Sequence, residues 1–495
     1  MNRSRGSFLR ELGGYAVAGA AGAVLLESCG SNAVPASSGS LPWQKLAASL
    51  KGPLLRPGSN GFAAAALPNN LRYASTMPSG IAMCETAEDV AASILWARRN
   101  GVPFAARCGG HSYAGYSTTT GLMIDLALMN GVTFDDATGI VTIGGGARNA
   151  HIFDVFKAKG IATTHGRCRN VGIAGFVLGG GIGFSMREHG LACDRLIASE
   201  IVLADGNVAA LDAKHNADLF WACRGGGGGN FGINTSFSLQ TFPVSNENLT
   251  AYDLYWTSNL EEVFTTLAAV LEAAPISLGC RLTVAPAAPL GKGTSGLVVE
   301  LLGQFAGTRK AFLELLRPVY AIAAPSSGRL REEPYWQAQS ILEEVGAPAY
   351  YTERSRFFDG PLDRDIVATI FNWMNRWPAD ITVAGISLFQ MGGRVNAKPA
   401  TATAFVHRNS SWLGTLVLQW DAGASSEALR RNFIWLNGFY EAVVPLAKGG
   451  AYQNFIDPQL VNWKTAYYGG NLARLEAIKR RVDPSNVFSF PQAIP

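Results

Sequence analysis

Charge is scarce in this chain: of 495 residues only 16% are Asp, Glu, Lys or Arg, against 48% hydrophobic, and the formal net charge is +4. The basic residues are scattered and form no long run or stripe, which excludes a nucleic-acid footprint. The seven cysteines, Cys29, Cys84, Cys108, Cys168, Cys193, Cys223 and Cys280, include no C-x-x-C pair. Neither a zinc site nor a thioredoxin-like motif is therefore indicated, and no metal is expected. The apolar run Tyr15 to Leu26 is short for a membrane span, which needs about 20 apolar residues. With nearly half its residues hydrophobic, a chain of this length can bury a large core and is expected to hold two domains.

What the chain does have is glycine set against reactive side chains. Cys168 in Gly166–Gly172 (GRCRNVG) precedes Gly172, Gly175, Gly179, Gly180, Gly181 and Gly183. Glycine lets backbone N–H groups approach an anionic ligand closely and permits positive φ, so the stretch reads as a cradle with a thiol at its lip. Upstream, Arg107 to Ser112 (RCGGHS) repeats the idea with His111 beside Gly109 and Gly110. A strand over Val102 to Arg107 would deliver that loop, as a pyrophosphate site requires.

The remaining elements fall in order. Arg3, Arg5 and Arg10 ahead of the apolar run have the layout of an export signal. Leu26-Glu27-Ser28-Cys29 resembles a bacterial lipobox, which implies lipidation of Cys29, and Ser4 to Arg10 resembles a twin-arginine signal with Gly6 at the second arginine. The expected location is periplasmic or cell-surface. Ser31 to Ser40 reads as a linker. Thr86 and Asp89 form a capping box for a helix with Val90, Ile94 and Leu95 on one face, closed by Asn100-Gly101. Strands are predicted over 121–130, 139–143, 197–203 and 233–242, a helix over 150–159, and a packed turn at the glycine run 225–229. From about Val244 the glycine motifs stop. Helical stripes at 259–273, 310–323 and 426–446 then alternate with strands at 296–305, 381–390 and 413–420, which suggests helices on one face of an antiparallel sheet. Asn471 is expected to cap a short helix ended by Asp483-Pro484.

Taken together, RCGGHS, GRCRNVG, Leu178 to Gly183, Arg187 to Asp194, Asp218 to Gly228 and the segment Tyr467 to Ile494 resemble the motifs of the berberine-bridge-enzyme-like flavoproteins of the vanillyl-alcohol-oxidase superfamily. The resemblance implies an α+β fold: a two-part PCMH-type FAD-binding domain over 41–243 and 451–495, and a substrate domain over 244–450. It implies FAD joined covalently to His111 and Cys168. The cofactor-binding set it suggests is Arg107, Cys108, Gly109, Gly110, His111, Ser112, Cys168, Val171, Gly172, Gly175, Gly180, Gly181, Gly183, Ile201 and Asn471, with Ile201 in the hairpin that lies against the adenine.

A flavin oxidising an alcohol needs a base for the hydroxyl proton. Many relatives supply a tyrosine in Y-x-N-Y-x-D, but this chain reads Tyr452-Gln453-Asn454-Phe455-Ile456-Asp457, and phenylalanine accepts no proton. Tyr113, Tyr452 and Gln390 are the remaining candidates, although Tyr452 on a strand would face away from residue 455. Phe176 stands where plant relatives often have a histidine. Val171, at the position that gates access to the flavin, resembles the oxygen-permitting choice. The expected activity is oxidation of an alcohol of a sugar or secondary metabolite with O2 as acceptor. Its rivals are a dehydrogenase using another acceptor and a lapsed flavoprotein that only binds ligands.

Overall fold

A computed structural model describes residues 41–245, 247–292 and 295–495. The export signal, the linker and Cys29 lie outside the described residues. Strands β1 (Leu54–Leu55), β2 (Gly80–Met83), β3 (Phe104–Arg107) and β4 (Leu122–Asp125) form a small sheet in the order β1-β2-β4-β3, the last three parallel. The chain continues through β5 (Val132–Asp135), β6 (Ile140–Gly144), β7 (Ile161–Ala162), β8 (Leu196–Val202), β9 (Val208–Asp212), β10 (Ile233–Gln240) and β11 (Phe242–Pro243). Of these, β5, β6, β10, β8 and β9 lie side by side in that order, all antiparallel, while β7 pairs with β11.

The third sheet is built from β12 (Asn248–Trp256), β13 (Leu278–Pro286), β14 (Leu297–Phe305), β15 (Ser327–Pro334), β16 (Tyr350–Phe358), β17 (Val383–Gln390) and β18 (Trp412–Trp420). Its order is β15-β12-β14-β13-β17-β18-β16 and every pairing is antiparallel. Side chains alternate across a pleated strand, and here the alternation divides two tasks. Leu282, Val284, Ile386, Leu388, Leu416 and Leu418 point one way, into a core with helices Leu260–Glu272, Arg364–Met374 and Ser426–Ala447. Their neighbours Arg281, Ser387, Thr415 and Glu353 point the other way, into a cavity.

Local rules explain most of the elements. Thr86 Oγ1 accepts from Asp89 N at 3.3 Å at the head of helix Ala87–Arg99, and Gly101 at φ +61 ends it. Leu95, expected on the buried face, is instead 38% exposed at the edge of that face. The stripe at 310–323 divides into Arg309–Leu315 and Arg317–Ile322, because Pro318 cannot donate to the preceding turn and is tolerated only in the first turn of a new helix.

Asn471 precedes helix Leu472–Val482, but its side chain does not cap it. The backbone enters that helix from a 3₁₀ turn, and the Asn471 amide donates to the carbonyls of Ala400 (2.8 Å) and Thr403 (3.1 Å). The C-terminal segment is pinned by Lys479, whose buried ammonium donates to Asn230 O (2.8 Å), Phe488 O (2.7 Å) and the Asp483 carboxylate (2.7 Å). Tyr452, Tyr467, Leu475 and Ile494 share a core with Val141 and Phe237 of β6 and β10, and the same core takes in Phe357 and Leu413 of the seven-stranded sheet. Among the described residues no helix is long and apolar enough to cross a membrane.

Candidate active site

A cavity of about 780 Å³ lies between the glycine-rich loops and the polar face of the seven-stranded sheet, within the usual size range of ligand sites. β3 delivers the RCGGHS loop to it. The Arg107 guanidinium donates to Ser117 O (3.0 Å), Ala65 O (2.7 Å) and Ala66 O (3.1 Å), so it fixes the loop's flanks. The two cradles then meet backbone to backbone: a Cβ on Gly109 would lie 2.4 Å from Gly172 N, and one on Gly172 would lie 2.2 Å from Cys108 Sγ. Only glycine permits that approach.

His111 and Cys168 converge on one point. A Cβ on Gly346, which holds φ +66, would lie 1.9 Å from Cys168 Sγ and 3.4 Å from His111 Cε1. The 343–349 loop that carries Gly346 is tied down by Arg167–Glu344 (2.8 Å), Arg169–Glu343 (3.1 Å) and Asn69 Nδ2 to Gly346 O (2.9 Å). Burial, then the nearby Arg148 cation, lowers the His111 pKa to about 4, so the imidazole is neutral at physiological pH with a free lone pair. Burial, then the Glu344 carboxylate, pushes the Cys168 thiol up to about 11.

Of the expected cradle, Arg107 to Ser112, Cys168, Val171, Gly172, Gly175 and Gly183 line the cavity. Gly180, Gly181, Ile201 and Asn471 do not. Gly180 and Gly181 hold φ +129 and +80 and pack against Phe405 and Ala192, and Gly181 N donates to Tyr452 Oη at 2.9 Å. They shape the turn rather than touch the space. Ile201 backs Gly232, which does line the cavity. The glycine run missing from the expected set also contributes: Gly227, Gly228 and Gly229 line the wall beside Gly175, with Phe488 to Gln492 next to them. Its signal was the density of glycine before Asn230.

Tyr452 and Phe455 do not lie on opposite sides of a strand. Residues 452–455 form a turn closed by Phe455 N to Tyr452 O (3.0 Å), which brings positions i and i+3 together, with ring centroids 5.1 Å apart. The Tyr452 hydroxyl is occupied by Gly181 N and by Asn454 Nδ2 at 3.1 Å, and burial raises its pKa. Gln390 borders the cavity with both ends of its amide engaged, donating to Leu271 O and accepting from Cys280 Sγ at 3.4 Å. Tyr113 stacks on Phe455, with centroids 5.3 Å apart and planes 4° from parallel.

The sheet wall carries a group that sequence reasoning missed. Glu353 on β16 faces the cavity, accepts a hydrogen bond from Thr415 Oγ1 and interacts electrostatically with the Tyr113 hydroxyl. Burial raises its pKa to about 7, with the bond from Thr415, the Tyr113 hydroxyl and the Arg281 charge opposing. Arg281 is itself held by Glu300 at 2.8 Å. The hint in the sequence was an acidic residue in a short stretch with Tyr350, Tyr351, Phe357 and Phe358 at its ends.

The cavity fits a large polar cofactor. Five buried side-chain atoms on its wall, Arg107 Nη2, Ser117 Oγ, Arg281 Nε, Gln453 Oε1 and Gln492 Oε1, have no protein partner, and buried polar atoms are rarely left unpaired. A Cβ on Gly175 would meet nothing within 4 Å, so the helix carrying it presents bare backbone to the space. Residues 78–212 match the FAD-binding domain family and residues 451–495 the berberine and berberine-like family. The chain is 31% identical to the uncharacterised FAD-linked oxidoreductase YgaK of Bacillus subtilis over 84% of its own length and 91% of the relative's. It is 30% identical to the carbohydrate oxidase of Microdochium nivale, over 89% and 92%. Among solved structures, BBE-like 1 of Physcomitrella patens superposes with a TM-score of 0.82 at 27% identity, over 91% of this chain and 98% of the other. Fold, cavity and relatives agree, and this chain belongs to the berberine-bridge-enzyme-like family of FAD-linked oxidoreductases.

Proposed function

We propose that the protein oxidises an alcohol group of a sugar or related secondary metabolite, with FAD bound through both His111 and Cys168 and O2 as the final acceptor. The observation that carries this reading is the convergence of His111 Cε1 and Cys168 Sγ on Gly346 at the edge of one glycine-lined cavity. Bound FAD supplies the two-electron acceptor for the hydride of the alcohol carbon.

The protein's own residues do the rest. Main chain from Cys108 to Ser112 and Gly227 to Gly229 would hold the cofactor's phosphates and rings, and the unpaired atoms of Gln453 and Gln492 would bond its polar edges. His111, kept neutral by burial, offers a nitrogen lone pair, and Cys168 offers a thiol. The sheet face, with Glu353, Thr415 and Arg281 inward, suits a hydroxyl-rich substrate because each group can donate to or accept from an alcohol. The name of the Microdochium nivale relative, a carbohydrate oxidase, points the same way. Val171 places a short aliphatic side chain on the cavity wall, which supports oxygen access. Basic residues ahead of the apolar run 15–26, followed by Cys29, support an exported and lipid-anchored protein, and mass spectrometry of the mature N terminus tests that.

The functional test is anaerobic mixing with reducing sugars such as cellobiose and xylobiose, followed by air. The visible flavin band should bleach with a sugar and return with release of hydrogen peroxide. Bleaching without peroxide would favour another acceptor, and no bleaching with any alcohol would contradict the reading.

A further inference from the structure

We propose that Tyr113 and Glu353 form the proton-accepting pair of the alcohol oxidation, taking the place of the tyrosine that residue 455 does not supply. The inference rests on the alcohol-oxidising reading above. Phe455 leaves a ring without a hydroxyl beside the cavity, and Tyr113 lies stacked on that ring, with centroids 5.3 Å apart. Its hydroxyl interacts electrostatically with the Glu353 carboxylate on the same cavity wall, and Thr415 Oγ1 donates a hydrogen bond to that carboxylate. All of these residues line the one cavity, together with His111, two residues from Tyr113.

The groups facing Glu353 come from four directions. Tyr113 comes from the RCGGHS loop, Thr415 from β18, Arg281 from β13, and Glu344 from the 343–349 loop, with Tyr351 adjacent on β16. Arg281 is committed to Glu300, and Glu344 to Arg167 at 2.8 Å. Among the described residues no cation forms an ion pair with Glu353, and the nearest named charge, Arg281, is held by Glu300. With a pKa near 7 it is partly ionised at neutral pH and can accept a proton.

The balance is simple. As the C–H hydrogen leaves with its two electrons to the flavin, the alcohol O–H bond breaks and its proton passes to the Tyr113 oxygen. The phenol's own proton passes to a Glu353 oxygen, and the C–O bond becomes a carbonyl. Glu353 then returns its proton to cavity water. Tyr113 never carries a full negative charge, which its buried setting disfavours.

The test compares flavin-loaded wild type, Glu353→Gln and Tyr113→Phe in anaerobic reduction by cellobiose or xylobiose across pH, with an infrared titration of the carboxyl stretch. The wild-type rate should rise with pH through about 7. Each variant should reduce about 10²- to 10⁴-fold more slowly, the usual contribution of a positioned acid–base group, with flavin content retained and the ascending limb gone in Glu353→Gln. A carboxyl band titrating near neutrality should be present in wild type and absent in Glu353→Gln, a reading that needs no substrate. If wild type bleaches and both variants keep its rate and pH profile, or if no such band titrates in wild type, the pair is overturned. If wild type bleaches with no alcohol, the alcohol-oxidising reading fails instead. Should Glu353→Gln fail to load flavin, Tyr113→Phe and the wild-type titration still decide.

Discussion

The two walls of the cavity are made of different material. One is largely main chain: Gly109, Gly110, Gly172, Gly175 and Gly227 to Gly229, joined by side chains such as His111, Cys168 and Val171. The other is side chain: Arg281, Ser387, Thr415 and Glu353 projecting from a sheet whose reverse face is a leucine-rich core. A backbone wall can hold one fixed ligand and tolerates almost no substitution, whereas a side-chain wall can be rewritten position by position without disturbing the strands beneath it. Under the proposed function, cofactor and substrate would meet opposite walls of one space.

The largest effect should follow from filling the backbone wall. Gly175→Leu would project into space where a Cβ meets no atom within 4 Å, so the chain should fold with near-normal thermal stability yet carry no flavin. The ratio of visible to ultraviolet absorbance measures this. Gly175→Leu loading flavin normally would mean that the cofactor does not occupy that part of the cavity.

Next comes the tether beneath that wall. Lys479→Met removes the cation holding Asn230, Phe488 and Asp483, and leaves a buried carboxylate unpaired. Breaking such a pair costs about 3–5 kcal/mol, read as a lower denaturation midpoint. A change below about 1 kcal/mol would show that the C-terminal segment is held by its apolar contacts alone.

On the side-chain wall the effect is smaller and depends on pH. The folded-state pKa of Glu353 is raised above its ordinary value to about 7. Folding therefore favours its protonated form, and the stability this gives is present at low pH and lost as pH rises through about 7. Each pKa unit corresponds to about 1.4 kcal/mol. Glu353→Gln should therefore gain melting temperature relative to wild type as pH rises across that window. Parallel melting curves would place Glu353 in contact with bulk water.

The smallest effect belongs to the rim. Val345 lies next to Gly346 but is 64% exposed, so Val345→Ser should change stability by no more than about 0.5 kcal/mol.

The backbone wall was legible in the sequence because its requirement is local: a glycine that must admit a neighbouring chain is visible as a glycine. Even there, spacing could not separate Gly175, which faces the cavity, from Gly180 and Gly181, which hold a turn against Phe405 and Ala192. The side-chain wall was almost illegible. Glu353, Thr415 and Arg281 lie on three strands distant in sequence and meet only through sheet register, and β12, β13, β15 and β16 gave no clear strand pattern of their own. Burial of β12, β13 and β16 on both faces removes the polar alternation that marks a half-exposed strand, and β15 is a mostly exposed, charged edge strand. Tyr452 was misread for a related reason: the residues around it form a turn, so its strand parity had no meaning.

The most direct measurement is the visible spectrum of acid-precipitated wild type, His111→Ala and Cys168→Ala. Convergence of His111 and Cys168 at one edge of the cavity predicts a yellow wild-type pellet and a pellet that stays yellow in each single variant. In the double variant the flavin should pass to the supernatant. Flavin released by acid from the wild-type protein, or a colourless protein, would contradict the two-link account.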